Sequence, residues 1–231
     1  MRGDRRALWL LVLAGAAMWG WNWLQTHPGD NPWAPLDLRD EPGWATGRKI
    51  AALRDDPQKC RAVLERSEVA FTNLAPLGEG ACRREDRTRV DAYPLHPQVP
   101  ATSCAVAAAL QVWLDQSVQP AARASYGQGV VQIAHLGSYS CRRLYGRSEG
   151  PWSEHAAANA IDISGFVLTD GTRISLAADW DGKETDEAFL TQVRDGACEV
   201  FGTVLSPDYN AAHRDHLHLD QAARGFGGVC R

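Results

Sequence analysis

Several features that mark common classes of protein are missing from this sequence. Its formal net charge is -4, and its 24 Lys and Arg residues are scattered rather than gathered into a basic stripe, so we expect no nucleic-acid partner. It has no Cys-x-x-Cys pair, which disfavours a zinc site made of cysteines. It also has no internal repeats and no low-complexity tract. Its 231 residues suffice for one domain and an anchor but are few for two independent cores.

Charge is almost absent from one early stretch of the chain. Three arginines precede it within residues 1–6, and residues 7–24 are apolar with three tryptophans towards their end. This order predicts a membrane helix with a cytoplasmic N-terminus, because arginines are retained inside and tryptophans favour the interface. The segment Ala14-Gly15-Ala16 also fits a signal-peptidase site, so secretion after cleavage is the alternative. Both interpretations export the rest of the chain.

Cysteines are few, but their number is even. None lies in the apolar stretch, and the six members are Cys60, Cys82, Cys104, Cys141, Cys198 and Cys230. An even set in an exported chain predicts up to three disulfides. Six cysteines allow about 15 pairings, and the sequence does not choose among them.

Composition divides the chain into five segments. Residues 1–6 are the cytoplasmic N-terminus, and residues 7–24 are the anchor or signal segment. Residues 25–55 are rich in Pro, Gly, Asn and Asp, which is typical of a tether with no core of its own. Residues 56–103 form a lead-in subregion with several turn signals, and residues 104–231 form the main domain.

Hydrophobic periodicity predicts helices and short strands in the exported part. The predicted helices cover residues 59–65, 104–117 and 187–205. The predicted strands cover residues 130–135, 160–164 and 216–220. Ser103 is placed as an N-cap, and the helix that follows is expected to end before Pro120. The mixture lacks a regular strand–helix alternation, so we expect an α+β fold with a small antiparallel sheet and flanking helices.

One carboxylate stands in the middle of a predicted apolar strand. Asp162 lies between Ile161 and Ile163, and His155 precedes it by seven residues on a loop. A carboxylate buried alone is unfavourable, so Asp162 requires a cation, hydrogen-bond donors or a metal.

Two more imidazoles share one face of the last predicted strand. His216, His218 and Asp220 alternate with two leucines, which are expected to face the core. Two imidazoles and a carboxylate around an open position are typical of catalytic zinc, although other first-row divalent ions accept the same ligands. Any single histidine is more often a hydrogen-bonded structural residue. The metal hypothesis depends on four of the seven histidines falling in two short segments, each with a carboxylate.

Six motifs in residues 104–220 resemble one family of bacterial envelope proteins, the extensin-like C-terminal domain family. They are Cys104-Ala-Val-Ala-Ala-Ala-Leu110 with Trp113, His135-Leu-Gly-Ser-Tyr-Ser-Cys-Arg142, Ser153-Glu-His-Ala-Ala-Ala-Asn-Ala-Ile-Asp162, Gly196-Ala-Cys198 with Phe201, Tyr209-Asn210, and His213-Arg-Asp-His-Leu-His-Leu-Asp220. They cover about half of the 231 residues. That family is similar to the zinc D-alanyl-D-alanine peptidases and the Hedgehog-type fold. The resemblance implies a disulfide-stapled zinc fold of this kind in the periplasm or outside the cell, on a single-pass inner-membrane anchor.

The resemblance also implies roles for particular residues. His155, Asp162 and His218 match the zinc ligands. Asp215 stands where such peptidases place a glutamate base, whereas strand alternation favours His216 as the base, and both stay open. Arg142 resembles the arginine that holds a substrate carboxylate, and a solvated loop arginine is its plain alternative.

Function is implied through the same resemblance. We expect a zinc-dependent amide hydrolase, a carboxypeptidase or endopeptidase, that acts on peptidoglycan stem peptides or cross-links. The alternative is a non-catalytic wall-binding or scaffold protein that retains zinc for stability. A third possibility is a disulfide-stapled domain without metal, which would leave the charge of Asp162 without a partner.

Overall fold

The computed structural model of the protein describes residues 2–223 and 228–231. Helix α1, Arg2–Thr26, contains the apolar stretch. Its segment Arg5–Thr26 has 22 residues and a mean hydropathy of 1.4, and none of its hydrophobic window is buried against the protein. By length and composition, this helix could cross a membrane or serve as a signal sequence.

The remaining helices are short, except for the last. They are α2 Thr46–Ala51, α3 Pro57–Arg66, α4 Cys104–Trp113, α5 Gln119–Tyr126, α6 Leu176–Asp179 and α7 Glu184–Val200. The 3-10 turns are Ala52–Asp55, Gly80–Cys82, Leu144–Gly146, Glu154–Ala157 and Ala211–His213. The helices at 57–66 and 104–113 confirm two of the sequence predictions.

Nine strands form two sheets in the part of the chain that the structure describes. They are β1 Phe71–Leu74, β2 Arg87–Val90, β3 Leu95–His96, β4 Val130–Gly137, β5 Ala160–Leu168, β6 Arg173–Ser175, β7 Thr203–Leu205, β8 Leu217–Asp220 and β9 Val229–Cys230. The hairpin β1–β2 stands apart, and the main sheet has the order β3-β4-β5-β8-β7-β9, with β6 paired to the second half of β5. The central pairs are antiparallel, and β3 and β9 join the two edges in parallel. The chain is therefore a mixed α/β protein, as expected, but its main sheet has seven strands and parallel edges, whereas a small antiparallel sheet was predicted.

Aromatic side chains join the helices to the main sheet. Phe166 on β5 packs against Trp113 of α4 and Phe189 of α7, with ring centroids 6.1 and 5.3 Å apart. The Trp113 indole donates a hydrogen bond to the Val193 carbonyl at 2.8 Å, so this buried ring keeps its polar group satisfied. Helices α4 and α7 thus pack against β5 through these aromatic rings.

The predicted tether is the first correction. Residues 36–53 contribute Leu36, Leu38, Ile50 and Leu53 to the hydrophobic core. Helix α2 also lies so close to α7 that a Cβ added at Gly47 would overlap the Glu199 carbonyl oxygen. Proline and glycine in this segment make turns that return a few apolar side chains to the domain, and composition alone does not reveal that return.

Two predicted helix ends also differ from the structure. After α4, a π-helical turn, Leu114–Val118, leads directly into α5, which carries Pro120 in its first turn. Because the helical backbone is continuous here, Pro120 removes one regular hydrogen bond, and the π-helical turn lies where that bond is missing. Helix α7 ends at Val200, and the expected last turn is strand β7 instead. Val204 is buried in β7, and it would also be buried in a last turn of α7. Hydrophobic periodicity therefore did not distinguish the helix from the strand.

Three disulfides confirm the prediction from the even cysteine count. Cys60–Cys104 joins α3 to α4, Cys82–Cys141 joins the lead-in subregion to the loop after β4, and Cys198–Cys230 joins α7 to β9. No cysteine is free in the part of the chain that the structure describes.

Candidate metal centre

Strands β5 and β8 bring the first two predicted ligands together. Asp162 lies directly opposite His218 in the antiparallel register. Residues opposite each other project to the same face of a sheet, with Cβ atoms about 5 Å apart. Both side chains are largely shielded, with 15% and 12% exposure respectively.

A 3-10 turn before β5 supplies the third ligand. Ser153 caps this turn by accepting a hydrogen bond from the His155 backbone N–H at 3.3 Å. The His155 ring is buried, and its Nδ1 lies 3.2 Å from the Ser138 carbonyl oxygen. That contact makes Nδ1 the donor, so Nε2 faces the sheet, and in the neutral ring its lone pair is available to a metal.

Three ligand atoms form a nearly equilateral triangle. His155 Nε2 is 3.1 Å from Asp162 Oδ1 and 3.1 Å from His218 Nδ1, and the last two atoms are 3.0 Å apart. Tetrahedral zinc with bonds of about 2.0–2.1 Å places neighbouring ligand atoms about 3.3 Å apart. The donors therefore match a small divalent ion in type and nearly in spacing.

Asp220 holds the outer nitrogen of His218. Its Oδ2 accepts from His218 Nε2 at 2.9 Å, and its Oδ1 accepts from the Ala222 backbone N–H at 2.8 Å. The carboxylate is almost completely buried. Such a carboxylate–histidine pair fixes the ring and raises its basicity towards a metal.

Without a metal, the electrostatics of this cluster depend on shared protons. Burial would raise the pKa of the Asp162 carboxyl, but hydrogen bonds from His155 and His218 hold it well below its usual range. Burial would likewise lower the pKa of His218, but its hydrogen bonds to Asp162 and Asp220 raise it to about 9. The cluster thus compensates the buried carboxylate with positive charge, which is the role that a metal ion would take.

Of the two candidate bases, His216 lies closer to the cluster than Asp215. His216 Nε2 is 3.6 Å from Asp162 Oδ1, whereas Asp215 Oδ1 lies 2.9 Å from His216 Nδ1, on the far side of the imidazole. The His216 side chain is 12% exposed and that of Asp215 is 49% exposed. The hydrogen bond from His216 lowers the pKa of the Asp215 carboxyl. His216 therefore faces the cluster, and Asp215 orients it.

Arg142 lies beside the centre, exposed, in the segment that pairs with the His155 turn. Its carbonyl oxygen accepts from the Ser153 backbone N–H at 3.1 Å. Within the described residues its guanidinium makes no hydrogen bond, although its charge helps to lower the pKa of His213. Tyr139 and Tyr209 are also partly exposed near the centre.

A fourth imidazole at the centre was not predicted as a site residue. The His213 ring centroid is 5.3 Å from that of His216 and 6.0 Å from that of His218, and its Nδ1 contacts Asn210 Oδ1 at 2.9 Å. Burial first, and then the positive charges of His216 and His218, lower the pKa of His213 to about 4. The H-x-x-H-x-H spacing could have indicated that His213 belongs to the site. Strand alternation did not include it, because His213 lies on a 3-10 turn rather than on the strand.

Fold and site together define a disulfide-stapled α/β domain with a buried His-Asp-His cluster on its central sheet. The family model for the extensin-like protein C-terminus matches residues 58–231. The chain belongs to this family. The match begins well before residue 104, so the lead-in subregion is part of the family's domain. Searches of curated proteins and of solved structures found no match to the chain.

Proposed function

We propose that this protein is a zinc-dependent amide hydrolase that acts on peptidoglycan peptides in the cell envelope. The observation that carries the proposal is the triangle of His155 Nε2, Asp162 Oδ1 and His218 Nδ1, with sides of 3.0–3.1 Å. These three side chains converge although they come from a turn and two strands. In the described part of the chain, they are the one cluster whose ligand atoms are suitably placed for a metal ion.

The donor set fits zinc. Two neutral imidazole nitrogens and one carboxylate oxygen are the ligands of many catalytic zinc sites, which keep a fourth position open. Bound zinc supplies a Lewis acid that generates a nucleophile from water near neutral pH and polarises a carbonyl. Other first-row divalent ions accept the same donors, so zinc is proposed on chemistry rather than on selectivity.

His216 is the proposed general base. Its Nδ1 is the donor to Asp215 Oδ1 at 2.9 Å, so Nε2 is the nitrogen that can accept a proton. That atom lies 3.6 Å from the ligand oxygen of Asp162, at the edge of the cluster. His216 would take a proton from the attacking water and return it to the leaving amine.

Exposed groups around the centre would bind the substrate. Among the described residues the Arg142 guanidinium has no hydrogen-bond partner, and its planar donors suit a peptide carboxylate or the scissile carbonyl. Tyr139 and Tyr209, each about 40% exposed, offer flat surfaces beside it. The Arg84 guanidinium lies 3.8 Å from the centre of the Tyr139 ring, which holds that ring in place.

The substrate follows from compartment and family likeness. Three disulfides indicate an oxidising compartment, and α1 provides an export signal or an anchor. The abundant amide-bearing polymer of a bacterial envelope is peptidoglycan. We also propose that the fold is related to that of the zinc D-alanyl-D-alanine peptidases, with the His216–Asp215 pair in place of their glutamate.

A second candidate function is a wall-binding or scaffold protein with a structural metal. It is favoured by Asp215, whose carboxylate points to His216 rather than into the cluster. A peptidase that has lost its glutamate base would retain the metal ligands and lose turnover. The metal centre is the same in both candidates, so only hydrolysis separates them.

The test is a digestion assay on the purified full-length chain in an uncharged detergent. Defined stem peptides and cross-linked muropeptides are incubated with the zinc-loaded protein, and the products are separated and weighed by mass spectrometry. We expect a new amine and a new carboxylate from one amide bond, formed about 100-fold or more slowly with His216→Gln. Zinc-loaded, folded protein that cleaves none of these substrates would favour the scaffold.

A further inference from the structure

A groove far along the chain from the metal-ligand motifs lies between residues 32–36, helix α2 and helix α3. Its volume is about 470 Å³. Apolar lining comes mainly from Pro35, Leu36, Leu53 and Val63, and the indole of Trp33 is 76% exposed at its rim. None of the residues that form the candidate metal centre lines it.

All the charged side chains that line this groove are positive. Its lining includes four cations, Arg48, Lys49, Lys59 and Arg66, and no carboxylate. The chain as a whole has more acidic than basic residues, 28 against 24, so the clustering runs against the composition. A cationic rim over an apolar floor is complementary to an anionic amphiphile.

Hydrogen bonds connect the groove to the end of α1. The Lys49 ammonium donates to the Pro28 carbonyl at 2.7 Å and to the Ala34 carbonyl at 3.3 Å. The Asn31 side-chain amide donates to the Leu24 carbonyl, inside α1, at 3.3 Å. Pro28 follows the end of α1 by two residues, which span about 7 Å at most. Lys49 therefore lies within roughly 10 Å of the end of α1.

That distance corresponds to the headgroup layer of a membrane spanned by α1. The 22 residues of Arg5–Thr26 make a helix about 33 Å long, close to the roughly 30 Å of a hydrocarbon core. The headgroup and interfacial layer adds several ångströms on each side, and exposed tryptophans such as Trp33 favour that layer.

We propose that this groove binds the headgroup and upper acyl chain of an anionic phospholipid, in the leaflet where α1 emerges. The proposal takes α1 as a membrane span and does not depend on the proposed hydrolase activity. Lys59 is exposed, so its charge is accessible to a phosphate. Burial lowers the pKa of the Lys49 ammonium, with Asp40 opposing that shift, so a second anion nearby would stabilise its charged form.

Two short-chain lipids provide the test. Dihexanoyl phosphatidylglycerol or dihexanoyl phosphatidylcholine is titrated onto the full-length chain in dodecyl maltoside, and bound lipid is counted by native mass spectrometry. We expect the anionic lipid to bind at least about tenfold more tightly. Lys59→Gln should weaken it by about fivefold, since one basic residue near an anionic headgroup contributes approximately that factor.

Matched variants separate this site from general charge. Lys183→Gln removes an exposed lysine at the start of α7, outside the groove, and should leave binding unchanged. Lys59→Arg keeps the charge and should keep the affinity, and thermal unfolding checks that each variant is folded. Equal binding of both lipids, or an equal loss of affinity with Lys183→Gln, would overturn the lipid proposal. Glycerol 1-phosphate, which has no acyl chain, is added as a competitor, and displacement of the lipid at equal concentration would also overturn it. The last result would indicate a site for a soluble phosphate.

Discussion

Asp220 fixes the orientation of the His218 ring through one short contact in a dry environment. The carboxylate is nearly inaccessible to water and lies 2.9 Å from His218 Nε2. If His218 binds a metal through Nδ1, the proton on Nε2 must point to Asp220. Outer-sphere partners of this kind typically contribute 10- to 100-fold to metal affinity.

We therefore expect Asp220→Asn to weaken zinc binding by about tenfold or more, because a neutral amide accepts more weakly than a carboxylate. Competition with a coloured chelator measures this change. Asp181→Asn, at an exposed position in the turn before α7, is the control and should retain full affinity. Unchanged affinity in Asp220→Asn would show that His218 does not use Nδ1 for the metal.

A pair of variants tests the order of Asp215 and His216. His216→Gln should lower the hydrolysis rate by about 100-fold or more while zinc stays bound, since general-base catalysis contributes at least that much. Asp215→Asn should have a smaller effect, because it disturbs only the orientation of the ring. Rates on one muropeptide, with zinc content measured in parallel, provide the comparison. The reverse order of effects would make Asp215 the base.

At this scale, the sequence predicted the residues better than their partners. The resemblance to the extensin-like family named His155, Asp162 and His218, and the structure places their ligand atoms within 3.1 Å of one another. The function of Asp220 was hidden, because it depends on a buried contact across two positions of β8. His213 joins the centre through a turn whose geometry has no hydrophobic period.

Helix α2 packs against α7 through a glycine. A Cβ at Gly47 would overlap the Glu199 carbonyl oxygen, which is backbone and cannot swing away. Gly47→Ala should therefore destabilise the fold by roughly 1–3 kcal/mol, the usual penalty of overpacking, although alanine favours helices. Denaturant unfolding of the full-length chain measures the loss.

The control for this packing contact is Gly20→Ala in α1, where an added Cβ meets nothing within 4 Å. It should leave the unfolding midpoint of the domain unchanged. If Gly47→Ala unfolds at the same midpoint as Gly20→Ala, α2 is not packed on α7 and residues 36–53 are a tether after all.

Helices and strands with a clear hydrophobic periodicity were predicted well, but the residues at which they end were not. Strand β8 and helix α4 follow directly from alternation and from the Ser103 cap, which accepts from the Val106 N–H. The end of α7 was missed because Val204 is buried in the next strand. The core residues of 36–53 were missed because a segment with so many turns has no period.

The whole molecule combines an apolar N-terminal helix with a stapled domain. If α1 is a span rather than a cleaved signal, the intact chain should stay in the membrane pellet after a wash with alkaline carbonate, because a mostly apolar helix of 22 residues binds the bilayer too tightly to be extracted. Immunoblotting of the pellet and N-terminal sequencing check this. A soluble chain that begins just after residue 16 would identify α1 as a signal peptide.

The central claim is that one metal ion is held by His155, Asp162 and His218. Full-length protein, exported and purified with its disulfides intact, is analysed by elemental mass spectrometry beside His155→Ala, His218→Ala and the control His135→Ala. His135 lies on the neighbouring strand and bonds the Gln98 carbonyl instead. We predict about one zinc per chain in the wild type and the control, and almost none in the other two variants. Folded, oxidised wild-type protein without zinc, or variants that retain it, would contradict the account.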